Sequence, residues 1–369
     1  MLSDINSAHI QKWAIALSQK GIEIGIYSIS KPTANWYSKY NIQLLNSSNI
    51  SASTLNSNLF LKLNYLKLLP ALKKAINDFK PDIVHAHYAT SYGLLAAFSG
   101  FHPMIITGWG ADIFDSPKNY FIKKLLLVSL KRADAITVLS EITKKEIIKY
   151  TNKNVQLIPF GVDLEKFPSR KPNADNIIRI GTIRTLSEKY GIEYLIRAFA
   201  QLAKKYKNIQ LEIVGDGPLR TFLENLTIEL GVEKRVTFHG YVNQNTEYEK
   251  YISLLTNFDI FAILSIIDSE TFGVAAVEAS ACEIPIVATS VGGLPEVIES
   301  EKTGILVPPK NVEETSKAVE RLIIDKELRI LMGKNGRKRV EENYNWKNNI
   351  IQMLDLYEKL LNKKNITKN

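Results

Sequence analysis

Cysteine is almost missing from this chain of 369 residues: Cys282 stands alone. No internal disulfide can form, which fits a reducing compartment. Long apolar runs are missing too, and none approaches the ~20 residues a membrane-spanning helix needs. Met1-Leu2-Ser3-Asp4 carries neither the basic nor the apolar region of an export signal. A cytoplasmic location without membrane spans is therefore expected. Two glycine signatures are also lacking. No G-x-G-x-x-G and no Walker-type phosphate loop occurs, which argues against dinucleotide oxidoreduction and ATP hydrolysis.

The formal net charge is +9, yet the lysines are spread along the chain with no block of five or six. Nucleic-acid binding is not expected from that dispersion. Anionic substrates or an anionic membrane surface remain open, as does a plain bias toward Lys, Asn and Ile.

What is present is alternation. Short β-branched runs alternate with longer helical patterns, the signature of parallel α/β architecture. Strands are expected at Ile22–Ile29, Ile83–His85, Met104–Thr107, Ala135–Leu139 and Gln156–Ile158. A second series follows at Ile177–Ile183, Gln210–Val214, Arg235–His239, Ile260–Leu264, Ile284–Thr289 and Gly304–Val307. Several are continuous apolar runs, as strands covered on both faces require. The Pro- and charge-bearing stretch Phe167–Asn176 marks a boundary. The expected division is 1–168, 169–345, and a helix and tail at 346–369 that crosses back to the first part. Two doubly wound domains of this kind are expected to face each other across a ligand-binding cleft.

The beginning breaks the pattern. Asp4–Ser7 reads as the loop after a first strand and Ala8–Gln19 as its helix, yet only Met1–Ser3 precede that loop. A first strand that is short or missing is expected, with roughly five apolar residues upstream of Met1.

Chemistry concentrates in Ser265–Ile298. Phe272-Gly273 opens a helix containing Glu278, and Glu270 lies in the preceding loop. Free N–H groups at a helix start favour a phosphate, and two carboxylates can accept hydrogen bonds from sugar hydroxyls. By spacing alone, Glu270 is equally read as a cap and Glu278 as an ordinary helical residue. Arg184 and Lys189 follow another strand end, where cations can neutralise a diphosphate or simply meet solvent. Val214-Gly215-Asp216-Gly217-Pro218 is a tight turn whose glycines permit close approach.

Taken in order, G-T-I-R at Gly181–Arg184 with K-Y-G at Lys189–Gly191, VGDGP, the Gly240 turn, E-x-F-G-x-x-x-x-E and VGGLPEVI resemble retaining glycosyltransferase family 4. The resemblance implies the GT-B fold and covers essentially the whole chain apart from the first strand. It implies that Arg184 and Lys189 grip the donor diphosphate, that Glu278 binds the ribose, and that Glu270 binds the transferred sugar. Phe272, Gly273 and Val274 would offer backbone N–H groups; Gly181, Gly215 and Gly217 would let the donor approach, and Val242 would sit against the base. The donor is a nucleotide-diphosphate sugar used as co-substrate, with no other cofactor and no metal implied. Consistently, no two aspartates have D-x-D spacing.

The N-terminal half is expected to hold the acceptor. Relatives with T-x-H-G-x-D place a histidine where this chain has Trp109, and an indole cannot act as a base. His87 and Asp112 are the remaining catalytic candidates. Asn6 and His9, with Asp4, are expected to line the acceptor side along with Trp109. His85 is expected on the opposite face of its strand, in a buried structural role. Leu59–Lys80 and Tyr120–Arg132 are amphipathic and Lys-bearing, and either dock on anionic lipid or are ordinary domain helices. The implied activity is sugar transfer with retention to a glycan or lipid-linked acceptor, in cell-surface polysaccharide or lipopolysaccharide synthesis. A nucleotide-sugar epimerase or hydrolase of the same fold is the rival reading.

Overall fold

The computed structural model describes residues 1–46, 65–115, 118–171, 175–244 and 246–366, with side chains to residue 363. It divides into two compact units, 1–159 with 348–369, and 160–347. The expected linker Phe167–Asn176 falls inside the second unit, and its residues 172–174 lie outside the described set.

In the first unit the strands are β1 (Ile24–Tyr27), β2 (Ile42–Asn46), β3 (Val84–His87), β4 (Met104–Gly108), β5 (Ala135–Val138) and β6 (Val155–Leu157). The helices are α1 (Ala8–Ser18), α2 (Leu69–Phe79), α3 (Tyr92–Ser99), α4 (Ala111–Phe114), α5 (Tyr120–Arg132) and α6 (Glu141–Ile147). Among the described residues all pairings in this unit are parallel: β1 with β2, and β3-β4-β5-β6 in a row. Leu2 makes isolated parallel bridges to both Tyr27 and Ala86, so the short stretch Met1–Ser3 occupies the central lane where a first strand was expected. β3 and β4 are buried along their length, which explains the apolar or compact composition of β4, whereas β3 buries two histidines, His85 and His87.

The second unit contains β7 (Ile178–Ile183), β8 (Ile209–Val214), β9 (Val236–Gly240), β10 (Ile260–Ile263), β11 (Ile286–Thr289) and β12 (Gly304–Val307). Its helices are α7 (Ile192–Lys205), α8 (Arg220–Glu229), α9 (Tyr248–Thr256), α10 (Val274–Ala281), α11 (Leu294–Val297), α12 (Val312–Ile324) and α13 (Lys326–Asn343). α7 shows why these segments are helical. Ile192, Leu195, Ile196, Phe199 and Leu202 recur on one buried stripe, while Lys204 and Lys205 in the last turn suit the negative end of the helix. The sheet order β12-β11-β10-β7-β8-β9 is that of a doubly wound fold. The direction of winding reverses between β7 and β10, whose register pairs Ile180 with Ile260 and Gly181 with Phe261. Beyond the carboxyl ends of those two strands lies the crevice where open α/β sheets hold ligands.

The last helix, α14 (Trp346–Ile366), begins in the second unit and belongs to the first from residue 348. Ile350, Met353, Leu356 and Leu360 are its buried stripe. The crossing expected from sequence is present.

Candidate functional site

In the second unit the site is built at the β7/β10 reversal. Arg184 follows the last residue of β7, its backbone N–H held by Val214 O at 2.9 Å. Its guanidinium Nη2 comes within 3.0 Å of Glu270 Oε2, with both side chains about seven-eighths buried. The approach is off the line of a hydrogen bond, so Nε and Nη2 keep buried N–H groups with no acceptor. Donors in that state are costly unless a ligand oxygen meets them. Glu270 is held in turn by Ser265, whose hydroxyl donates to Oε2 at 3.1 Å.

Lys189 stands exposed in the short turn Glu188–Tyr190. The Tyr190 ring lies 4.7 Å from its ammonium and 5.0 Å from the Arg184 guanidinium. One aromatic ring thus steadies both cations.

Glu278 is buried in α10. It accepts from Gln244 Nε2 at 3.0 Å and from the Tyr251 hydroxyl in a short bond. Burial, then the Glu278 charge, pushes the Tyr251 phenol well above its ordinary value, so it stays a donor. Tyr251 and Gln244 carry no sequence signal: the tyrosine lies on α9 beside Leu255 and reads as core.

Phe272 turns its ring into the core against Phe160 and Tyr344, which leaves its backbone for the loop. Gly273 precedes α10 at φ +77°, and a Cβ there would lie 2.5 Å from Leu294 Cδ2. With Val274 it opens the helix, whose first N–H groups have no intrahelical partner. Gly215 has φ +140°, and a Cβ would meet Arg184 O at 1.8 Å. At Gly217 it would meet Leu186 O at 2.6 Å, and at Gly181 the Phe258 ring at 2.2 Å. These three were expected to admit a ligand; the structure shows them admitting the protein's own backbone and core. Val242 is buried, and its neighbour Tyr241 is 69% exposed.

The first unit gathers a separate cluster at the carboxyl ends of β3 and β4. The Trp109 ring stands edge-on to His9 at 5.7 Å and to His87 at 5.9 Å, and Trp109 Nε1 approaches His87 Nδ1 at 3.4 Å. His87 Nε2 is buried without a hydrogen-bond partner. Burial lowers the His87 pKa to about 3 and that of His9 to about 4, so both rings are neutral at pH 7.

His85 corrects an expectation. Residues two apart in a strand share a face, and the His85 and His87 rings are stacked at 4.2 Å rather than opposed. Its buried structural role does hold: Nδ1 contacts the Tyr357 hydroxyl at 2.8 Å and Nε2 contacts Thr107 Oγ1 at 2.7 Å.

Asp112 is fully buried and accepts three backbone N–H groups, from Ala89 at 2.6 Å and from Trp109 and Gly110 at 2.9 Å. It ties the ends of β3 and β4 together. Burial raises its pKa, and the backbone donors oppose that rise. Asn6 likewise holds a loop: its side chain donates to Lys31 O at 2.7 Å and accepts from Thr33 N–H at 2.8 Å. Among the described residues no three His, Cys, Asp or Glu side chains are gathered to hold a metal ion, and no helix is long and apolar enough to cross a membrane.

Residues 163–339 match the family described as "Glycosyl transferases group 1", and residues 1–140 match "Glycosyl transferase 4-like". The uncharacterized glycosyltransferase MJ1607 of Methanocaldococcus jannaschii is 39% identical over 173 residues, 47% of this chain and 43% of that protein. The GDP-mannose-dependent alpha-(1-6)-phosphatidylinositol monomannoside mannosyltransferase of Mycobacterium tuberculosis is 29% identical over 229 residues, 58% of each chain. The chain thus spans about half the length of these curated relatives. The Anabaena protein Alr3699/HepE, solved in complex with UDP, superposes with a TM-score of 0.78 at 19% identity, over 97% of this chain and 99% of that one. The chain belongs to the group 1 glycosyl transferases and folds as a GT-B protein of two Rossmann-like halves.

Proposed function

We propose that the protein transfers a sugar from a nucleoside-diphosphate sugar to a glycan or lipid-linked hydroxyl, with retention of anomeric configuration. The observation that carries this reading is the buried Arg184 guanidinium, with N–H groups lacking an acceptor, beside Glu270 at the β7/β10 crevice. Donors so placed are preorganised for the charge that grows on a departing diphosphate. Lys189 supplies a second cation, and the start of α10 supplies backbone N–H groups to phosphate or sugar. Glu278 accepts from the ribose and Glu270 from the transferred sugar. His87, His9 and Trp109 line the acceptor side. UDP in the Anabaena relative and GDP-mannose in the name of the mycobacterial one support a nucleotide donor.

In the mechanism that follows, the acceptor oxygen bonds to the anomeric carbon on the face the diphosphate leaves. The bond from that carbon to the diphosphate oxygen breaks, its electron pair goes to the diphosphate, and the hydroxyl proton follows. Positioning and charge stabilisation carry the rate.

The lipid named in the mycobacterial relative supports an acceptor at a membrane. On α5, Tyr120 and Phe121 are 64% and 58% exposed beside exposed Lys123 and Lys124, a surface suited to anionic lipid. The other amphipathic segment, Leu59–Lys80, lies outside the described residues as far as residue 64. Peripheral attachment at the inner membrane face, in cell-surface polysaccharide synthesis, completes the reading.

A thermal-shift screen against nucleoside-diphosphate sugars tests it, because a ligand of the folded state raises Tm by mass action. One donor is expected to raise Tm and then to yield a product of unchanged anomeric configuration when an acceptor is supplied. Epimerised or hydrolysed donor without need of acceptor would establish the rival activity instead.

A further inference from the structure

β9 carries one residue too many for its neighbour. Leu211, Glu212 and Ile213 of β8 face Val236, Thr237 and Phe238 in turn, but Val214 then faces Gly240, so His239 falls outside the register. Bulges of this kind are rare between parallel strands, and they concentrate at sheet edges and beside active sites. β9 is an edge strand of its sheet, and the bulge sits immediately before the turn at Gly240.

The extra residue is pinned by its side chain. His239 Nε2–H donates to Glu212 Oε2 at 2.5 Å, with the two side chains 24% and 10% exposed. Glu212 lies in mid-strand between Leu211 and Ile213, both fully buried. A carboxylate in such a place is costly, and an apolar pair of similar volume would hold the two strands together as well or better. What the polar pair supplies is direction, because it fixes the one residue that stands outside the register.

The chain beyond the bulge leads to the candidate site. Gly240 O accepts from Gly215 N–H at 2.8 Å, Tyr241 is largely exposed, and Val242 is buried. Gln244 Nε2 then donates to Glu278 Oε1 at 3.0 Å. Residues 240–244 therefore connect the bulge to the carboxylate that receives the ribose in the proposed reading.

We propose that Glu212 and His239 are positioning residues for the nucleobase of the donor. Their bond sets the bulge, and the bulge sets the path of residues 240–244 beside the base. The proposal rests on the reading of Glu278 as the group that accepts from the ribose.

Calorimetry on the whole chain with UDP, GDP and inorganic pyrophosphate tests it. Pyrophosphate carries the donor's charge without ribose or base. Replacing both residues by leucine (Glu212→Leu with His239→Leu) is expected to raise Kd for the nucleotide that the unaltered chain binds by about tenfold, because the segment must then be ordered on binding. Kd for pyrophosphate should stay within about twofold, and Tm should not fall. Glu212→Gln keeps an oxygen for the imidazole N–H to meet and should bind like the unaltered chain. Unchanged nucleotide affinity in the double variant overturns the proposal, whether or not Tm moves. So does an equal loss for pyrophosphate, which places the effect at the diphosphate. An unaltered chain that binds neither nucleotide overturns the donor reading itself, and the proposal falls with it.

Discussion

Arg184 and Glu270 come from different strand ends, β7 and β10, and meet at 3.0 Å without forming an aligned hydrogen bond. The pair neutralises charge but leaves guanidinium N–H groups available. Replacing Arg184 by Ala is expected to lower kcat by about 100-fold, the scale of one preorganised charge contact. Lys189→Ala should act similarly. Steady-state kinetics at saturating donor measure both, and near-normal turnover in the two variants refutes the diphosphate assignment.

Tyr251 donates to Glu278 in a buried setting, so Tyr251→Phe removes a partner from a desolvated carboxylate. A lost bond of this kind costs about 1–3 kcal/mol. Under the proposed reading Glu278 then meets the ribose less well ordered, and Kd for the matching nucleoside diphosphate should rise about tenfold by calorimetry. An unchanged Kd would place the Tyr251 bond outside donor binding.

Two left-handed glycines separate strain from collision. At Gly240, φ is +75° and a Cβ meets nothing within 4 Å, so Gly240→Ala should cost about 1–2 kcal/mol. At Gly215 the added Cβ would strike Arg184 O at 1.8 Å, and Gly215→Ala should cost at least ~3 kcal/mol. Urea unfolding of the two variants checks the ranking, and equal losses would contradict it.

Acid should weaken the fold well before the carboxylates titrate. The His87 pKa is about 3 when folded and near 6.5 when unfolded, so between these values the unfolded chain binds more protons. Its stabilising contribution is complete above about pH 6.5 and is lost as pH falls toward 3. By pH 5 this one ring accounts for about 2 kcal/mol. His9 and His85 shift the same way, also mainly through burial. Tm measured from pH 7 to 5 should fall, and more gently in His87→Gln; parallel curves would remove His87 as the cause.

The sequence made some of this architecture plain and hid the rest for identifiable reasons. β7, β8 and β10 were legible because each is rich in β-branched and other apolar residues. Arg184 and Glu270 were legible because polar residues just past such runs fall at the ligand crevice. β2, Ile42–Asn46, escaped notice: it is five residues, only Ile42 is fully buried, and its burial shows no alternation. Tyr251 was hidden because a tyrosine on a buried helical stripe looks the same whether its hydroxyl meets water or a carboxylate. His85 was misplaced although the period of two was available. Tyr357 was hidden by distance, since its partner lies 272 positions away.

The Trp109–His87 contact has a consequence for proton traffic. An indole nitrogen only donates, so the His87 nitrogen facing it must accept, and the ring proton resides on Nε2. Under the proposed reading, a bound acceptor finds no lone pair on His87, since Nδ1 is engaged by the indole and Nε2 is buried and carries the proton. The proton of the attacking hydroxyl then has its nearest chemical sink on the departing diphosphate, and the substrate itself completes the catalytic set.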